Sequence, residues 1–193
     1  MRLISGTVTV DDVDGFVARL GAVGDEHGVT VQAFDARYVV DRTHLERAVD
    51  LADRALARGE NVADDRAVEV LLYAAGRRQI NRAFGMGVSE GDGPVVVLVD
   101  DPNGAGTEPT AAEERAAGAL RGELGLDGSD GTGAGEGDRG GTGDGDDDRD
   151  LVAAYDPGRV REFFGVGDAE LEAVEGDLAD VVRERVALLD VEK

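Results

Sequence analysis

The chain has 193 residues with 42 Asp and Glu against 20 Lys and Arg, a formal net charge of −22, yet it is 41% hydrophobic, which excludes wholesale disorder. Cysteine is absent, which excludes a disulfide frame, a thiolate zinc site, an iron–sulfur cluster and a cysteine nucleophile. No apolar run is long enough to cross a bilayer, and the opening Met1-Arg2-Leu3-Ile4-Ser5-Gly6 lacks the apolar core of a signal peptide, so a soluble cytoplasmic protein is expected.

Residues 3–10 alternate weakly and read as a first strand. Asp11 and Asp12 can cap a helix whose apolar positions, Val13, Phe16, Val17, Leu20 and Val23, fall at the helical period. A turn at 24–28 leads into a second strand at 29–34. Thr43-His44-Leu45-Glu46 has capping-box spacing and predicts a helix that buries Leu45, Ala48, Val49, Ala52, Ala55 and Leu56, with Gly59 as its stop. Asp64 or Asp65 caps the next helix, which has Val68, Leu71, Leu72 and Ala75 on one face, a break at Gly76 and a short continuation over 77–84.

After Pro94, Val95-Val96-Val97-Leu98-Val99 is a continuous apolar run, expected as a strand buried on both faces. Thr110-Ala111-Ala112-Glu113 is a second capping box, but the alanine- and glycine-rich helix after it is expected to be marginal. Residues 125–150 are low in complexity, with nine acids and two arginines from 127 onward, and read as a disordered acidic insertion. Structure restarts at Asp156-Pro157 with a helix burying Val160, Phe163 and Phe164. Residues 168–189 read as helices broken near Gly176 that bury Leu171, Val174, Leu178, Val181 and Val182. About three strands with six or seven helices make one small α/β (α+β) domain, formed by 1–124 and 151–193 around the insertion.

Arginine supplies 19 of the 20 cations, the pattern of an acidic surface adapted to multi-molar salt, where screening is so short-ranged that total charge says little about the ligand. Distribution says more. Between Arg37 and Arg82 nine arginines meet eight acids, so this stretch sums to +1 while the rest of the chain carries −23.

Patterns for chemistry fail on context. Gly87-Val88-Ser89-Glu90-Gly91 matches a nucleophile elbow, but a helix precedes it, a strand follows it, and both histidines, His27 and His44, lie upstream. Gly135-Glu136-Gly137-Asp138-Arg139-Gly140 matches a dinucleotide fingerprint without a preceding strand and among carboxylates that repel a pyrophosphate. Asp144, Asp146 and Asp148 begin like a calcium loop, but Arg149 and Tyr155 stand where glycine and glutamate are needed. Neither histidine has a metal-spaced partner. The chain reads as a protein without an active site or cofactor.

Apolar and cationic groups coincide in Asn61-Val62-Ala63 and the run from Glu69 through Gly76-Arg77-Arg78-Gln79-Ile80. On one helix Val68, Leu72, Ala75 and Gln79 would stack on one side, with Tyr73, Ile80 and Phe84 as a second stripe. A helix apolar on two sides either lies deep in the core or lends one side to a partner. Arg77, Arg78 and Arg82, with Gln79 and Asn81, form a cluster of planar donors.

This segment resembles the signature of the kinase-binding regulatory subunit of the KEOPS (EKC) complex, the PRPK-binding protein family. The likeness extends to Gln32-Ala33-Phe34-Asp35-Ala36, to the helix around His44-Leu45-Glu46-Arg47-Ala48-Val49, and to the C-terminal run from Arg183 to Lys193; it covers 1–100 and 151–193. The resemblance implies a small, non-catalytic α/β subunit that binds the complex's kinase/ATPase subunit and supports threonylcarbamoyl modification of the adenosine next to the tRNA anticodon. It further implies recruitment of tRNA through its 3′ CCA end, with neither DNA nor a membrane as partner. Matched onto this sequence, Asn61, Arg77, Arg78, Gln79, Asn81 and Arg82 are the candidates for tRNA, and Tyr73, Ile80 and Phe84 for the kinase. An alternative keeps the kinase contact without RNA, making the chain a purely protein-binding allosteric regulator whose arginines pair with acids.

Overall fold

A computed structural model describes residues 1–104, 108–126, 155–174 and 176–190. The acidic segment expected to be disordered lies almost wholly outside these residues. Three strands form one antiparallel sheet in the order β1-β3-β2, from β1 (Arg2–Val10), β2 (Thr30–Asp35) and β3 (Gly91–Asp100). In β3, Leu98 lies opposite both Leu3 and Gln32, so β1 and β2 run parallel with β3 inserted antiparallel between them. The antiparallel ladder makes the domain α+β.

Strand periodicity sorts the core into two sides. Leu3, Phe34, Val96 and Leu98 face one cluster, and Ile4, Val31, Val95, Val97 and Val99 face the other. The second face is covered by α1 (Val13–His27) and α5 (Ala111–Leu124), through Phe16, Leu20, Ala116 and Leu120. Against the first pack α2 (Arg42–Arg58) and α3 (Arg66–Ala74), joined by Ala83 of α4 (Ile80–Ala83) and Met86 of the following 3₁₀ turn, Phe84–Met86. A third cluster, with Val160, Phe164, Val181 and Val182, belongs to α6 (Pro157–Phe164) and α8 (Leu178–Leu188), with α7 (Asp168–Ala173) between them. Eight α-helices are thus present among the described residues, against the six or seven expected.

Three local expectations are corrected. Helix α2 begins at Arg42 and its cap is Asp41, whose carboxylate accepts from the His44 N–H at 2.7 Å and also pairs with Arg183; Thr43 lies inside the helix. Helix α5 is a full 14-residue helix. Its capping box forms as expected, and buried Glu113 also accepts from the Asp101 N–H at 2.9 Å, so tertiary contacts override poor propensity. The continuous helix expected over 77–84 is absent. Gly76 adopts φ +58°, with its N–H donating to Tyr73 and that of Arg77 to Leu72, a Schellman stop that sends Arg77, Arg78 and Gln79 off in a non-helical turn.

No helix among the described residues is long and apolar enough to cross a membrane.

Candidate nucleic-acid interface

The turn after α3 is where three helix ends meet. A helix leaves its last carbonyls without intrahelical donors and carries a partial negative charge there. At the end of α3, the Ala74 carbonyl accepts from Nε2 of buried His44 at 2.8 Å. At the end of α6, the Phe163 carbonyl accepts from Nη2 of Arg77, whose guanidinium carbon lies 5.5 Å from the centroid of the Phe163 ring. Beyond α8, the Leu189 carbonyl lies 3.5 Å from Nη2 of Arg78. Arg77 and Arg78 are both half-buried, and each helps to seat a C-terminal helix.

Neither arginine has a carboxylate partner among the described residues, and the same holds for Arg82, which is exposed on α4. Among the described residues Arg19, Arg47, Arg54 and Arg115 likewise lack an acid, but they are not gathered at one turn, and several others are paired. Arg37, Arg42, Arg66, Arg161 and Arg183 each hold an acid. Burial, followed by the like charges of Arg82 and Arg185, holds the Arg77 guanidinium below its ordinary pKa. Nε of Arg78 is buried without a hydrogen-bond partner. Positive charge therefore accumulates at one turn of a strongly acidic chain, offset only by helix-end carbonyls.

The remaining candidates divide. Gln79 and Asn81 are exposed, as is Arg82. Asn61 precedes α3, on the side opposite the arginine turn, and its side chain donates to the Ala63 carbonyl at 3.0 Å. Phe84 is 53% exposed and Ile80 packs half-buried against the core. Tyr73 corrects the expectation of a second apolar stripe: it is 2% exposed, within the cluster that also takes Val70, Leu71, Leu72 and Ala74. Its ring is not offered to a partner. Helix α3 is apolar on two sides because it lies between α2 and the sheet.

Sequence reasoning missed what the spacing from Asn61 to Glu69 does. The Glu69 carboxylate, 2% exposed, accepts from the N–H groups of Val62 (3.0 Å) and Ala63 (2.9 Å), clamping the loop to the helix it precedes. It also missed Arg66, whose guanidinium bridges Asp53 of α2 (2.7 and 2.8 Å) and Asp100 at the end of β3 (2.6 Å). Eight acids between Arg37 and Arg82 gave no local sign of which would pair.

No protein-family model matches the chain, and no curated protein matches it significantly.

Proposed function

We propose that this chain is a non-catalytic subunit of the KEOPS tRNA threonylcarbamoyladenosine modification complex, binding its kinase/ATPase subunit and recruiting tRNA through the 3′ CCA end. One observation carries the reading: Arg77, Arg78 and Arg82 gather at a single turn with no acid partner among the described residues, in a chain of net charge −22. The like charges of Arg82 and Arg185 bear on Arg77, and a bound phosphate ester would relieve that mutual repulsion.

A single-stranded tail offers flexible phosphates and unstacked bases. Arg82 is free to grip a phosphate bidentately, while exposed Gln79 and Asn81 have the amide geometry to pair with base edges. Arg77 and Arg78 act as the fixed floor of this positive site rather than as mobile fingers. Phe84, with Ile80 behind it, supplies apolar surface for the kinase.

A second reading has its own support. Arg77 and Arg78 both donate to backbone carbonyls at helix ends, so their placement also follows from a structural role. The chain would then be a regulator that binds protein alone.

A pull-down at native salt separates the two, using the kinase subunit and tRNA with or without its terminal CCA. The tRNA reading expects retention that requires CCA and is lost in Arg82→Glu, with kinase capture unchanged. Equal retention of both tRNAs, or no effect of Arg82→Glu, refutes recognition of CCA by this turn, and capture of the kinase with no retention of either tRNA favours the protein-only regulator.

A further inference from the structure

An apolar groove lies at the edge of the sheet. Among the described residues strand β2 pairs with β3 on one side only. Along its other side runs a groove of about 550 Å³, floored by Val31, Gln32 and Ala33 and walled by α1 and α3. Val17 of α1 and Phe84 of the 3₁₀ turn, two of the four large exposed hydrophobic residues among those described, line it at 53% exposure each.

An unpaired strand edge carries main-chain N–H and C=O groups at every second residue, and proteins normally cover or charge such an edge. Here the cover comes from small side chains. The Gln32 side-chain amide turns back onto the Ala33 carbonyl at 2.8 Å, and the walls beside it present Ala18, Gly21 and Ala67, with Gln32 half-buried between buried Val31 and Ala33. Charge on the rim has one sign: Asp14 and Asp65 line the groove, both exposed, and no cation does.

We infer that this groove takes an extended segment of a partner protein, added as a fourth strand on β2, with alternating apolar side chains and Lys or Arg at its ends. The backbone edge supplies register-independent hydrogen bonds, Val17 and Phe84 close over the apolar side chains, and the two carboxylates select basic flanks. The inference does not depend on RNA binding, since neither Arg77, Arg78 nor Arg82 lines the groove; it shares Phe84 with the surface proposed for the kinase, so the extended segment and the kinase would compete for that side chain unless the segment is the kinase's own.

The test uses the full chain and a fluorescent octapeptide, blocked at both ends, with lysine at each terminus and valine alternating with serine between them. Saturable binding is expected, at least tenfold weaker for the double variant Val17→Ser, Phe84→Ser, whose exposed positions leave the fold intact. The β2 amides not bonded to β3 should exchange more slowly with peptide present. Replacing Asp14 and Asp65 by asparagine, which preserves the cap at 65, should weaken binding at least threefold at the lowest salt that keeps the chain folded. Four results overturn the inference: no saturation at millimolar peptide, equal affinity for the serine variant, equal affinity for a peptide N-methylated at alternate residues, or unchanged affinity in the asparagine variant. Concentration-dependent dimerisation abolished by the serine substitutions also overturns it, because a second copy would then fill the groove.

Discussion

Arg77 holds Phe163 twice, by stacking its guanidinium over the ring at 5.5 Å and by donating to the carbonyl of the same residue. Phe163 in turn lies 5.1 Å from the Tyr38 ring and 5.2 Å from that of Phe164, and a Cβ on Gly85 would come within 3.3 Å of it. The residue that resemblance marks for RNA is thus also the seat of α6. Truncation by Arg77→Ala should lower stability by about 1–2 kcal/mol, the loss of one helix-end hydrogen bond and one half-buried cation–π contact. Urea denaturation measures it, and Arg77→Lys should fall between, because an ammonium cannot both stack and donate as a planar fork.

Arg82 should behave in the opposite way. It is exposed and holds no acid among the described residues, so Arg82→Ala should change stability by less than about 0.5 kcal/mol. If it grips a phosphate, the same variant lowers the slope of log affinity against log salt by about 0.7–1 for single-stranded RNA. A titration of fluorescent CCA-ended RNA at several salt concentrations reads both the loss and the slope.

Glu69 offers a sharper test of the Asn61 loop. Its carboxylate is the acceptor for two adjacent main-chain N–H groups. Glu69→Ala leaves both without that acceptor, at a cost of about 2–4 kcal/mol, and Glu69→Gln should lose less because one acceptor oxygen remains. The midpoint of urea unfolding should fall accordingly, with little change in its slope.

His44 makes stability depend on pH. Its ring is fully buried, and burial lowers its pKa below the usual 6.5 despite the Ala74 carbonyl at 2.8 Å. On acidification through about pH 6.5 the unfolded chain gains a proton here and the folded chain does not, so stability falls with pH by at most about 1.4 kcal/mol per unit. Melting temperatures between about pH 7.5 and 5 should show this slope, and His44→Gln should remove it while melting lower throughout.

The α2 cap can be checked directly. Asp41→Ala should cost about 1–2 kcal/mol, while Thr43→Ala should cost little, because only Asp41 accepts a helix N–H and holds Arg183. The reverse order of melting temperatures would restore Thr43 as the cap.

What the sequence disclosed, and what it hid, follows from the range of the interactions. The run at 95–99 could only be a strand covered on both sides, and all five residues are at most 1% exposed. The box at Thr110 and Glu113, three residues apart, was legible because both partners sit in one turn. At Thr43 the same spacing misled, since Asp41 two residues earlier offers a carboxylate that Arg183, 142 positions away, holds in place. Tyr73 and Phe84 looked alike by periodicity, but the left-handed Gly76 breaks the helix between them, sending one into the core and the other to the surface. The partner of Arg77 lies 86 positions on, beyond anything local spacing can reveal.

The place of β3 sets when the sheet can assemble. Among the described residues every ladder hydrogen bond has β3 on one side, because β1 and β2 touch only through that strand. During synthesis, then, neither outer strand can find its native neighbour until the chain has grown past Asp100, and the first helices must wait on an unformed platform.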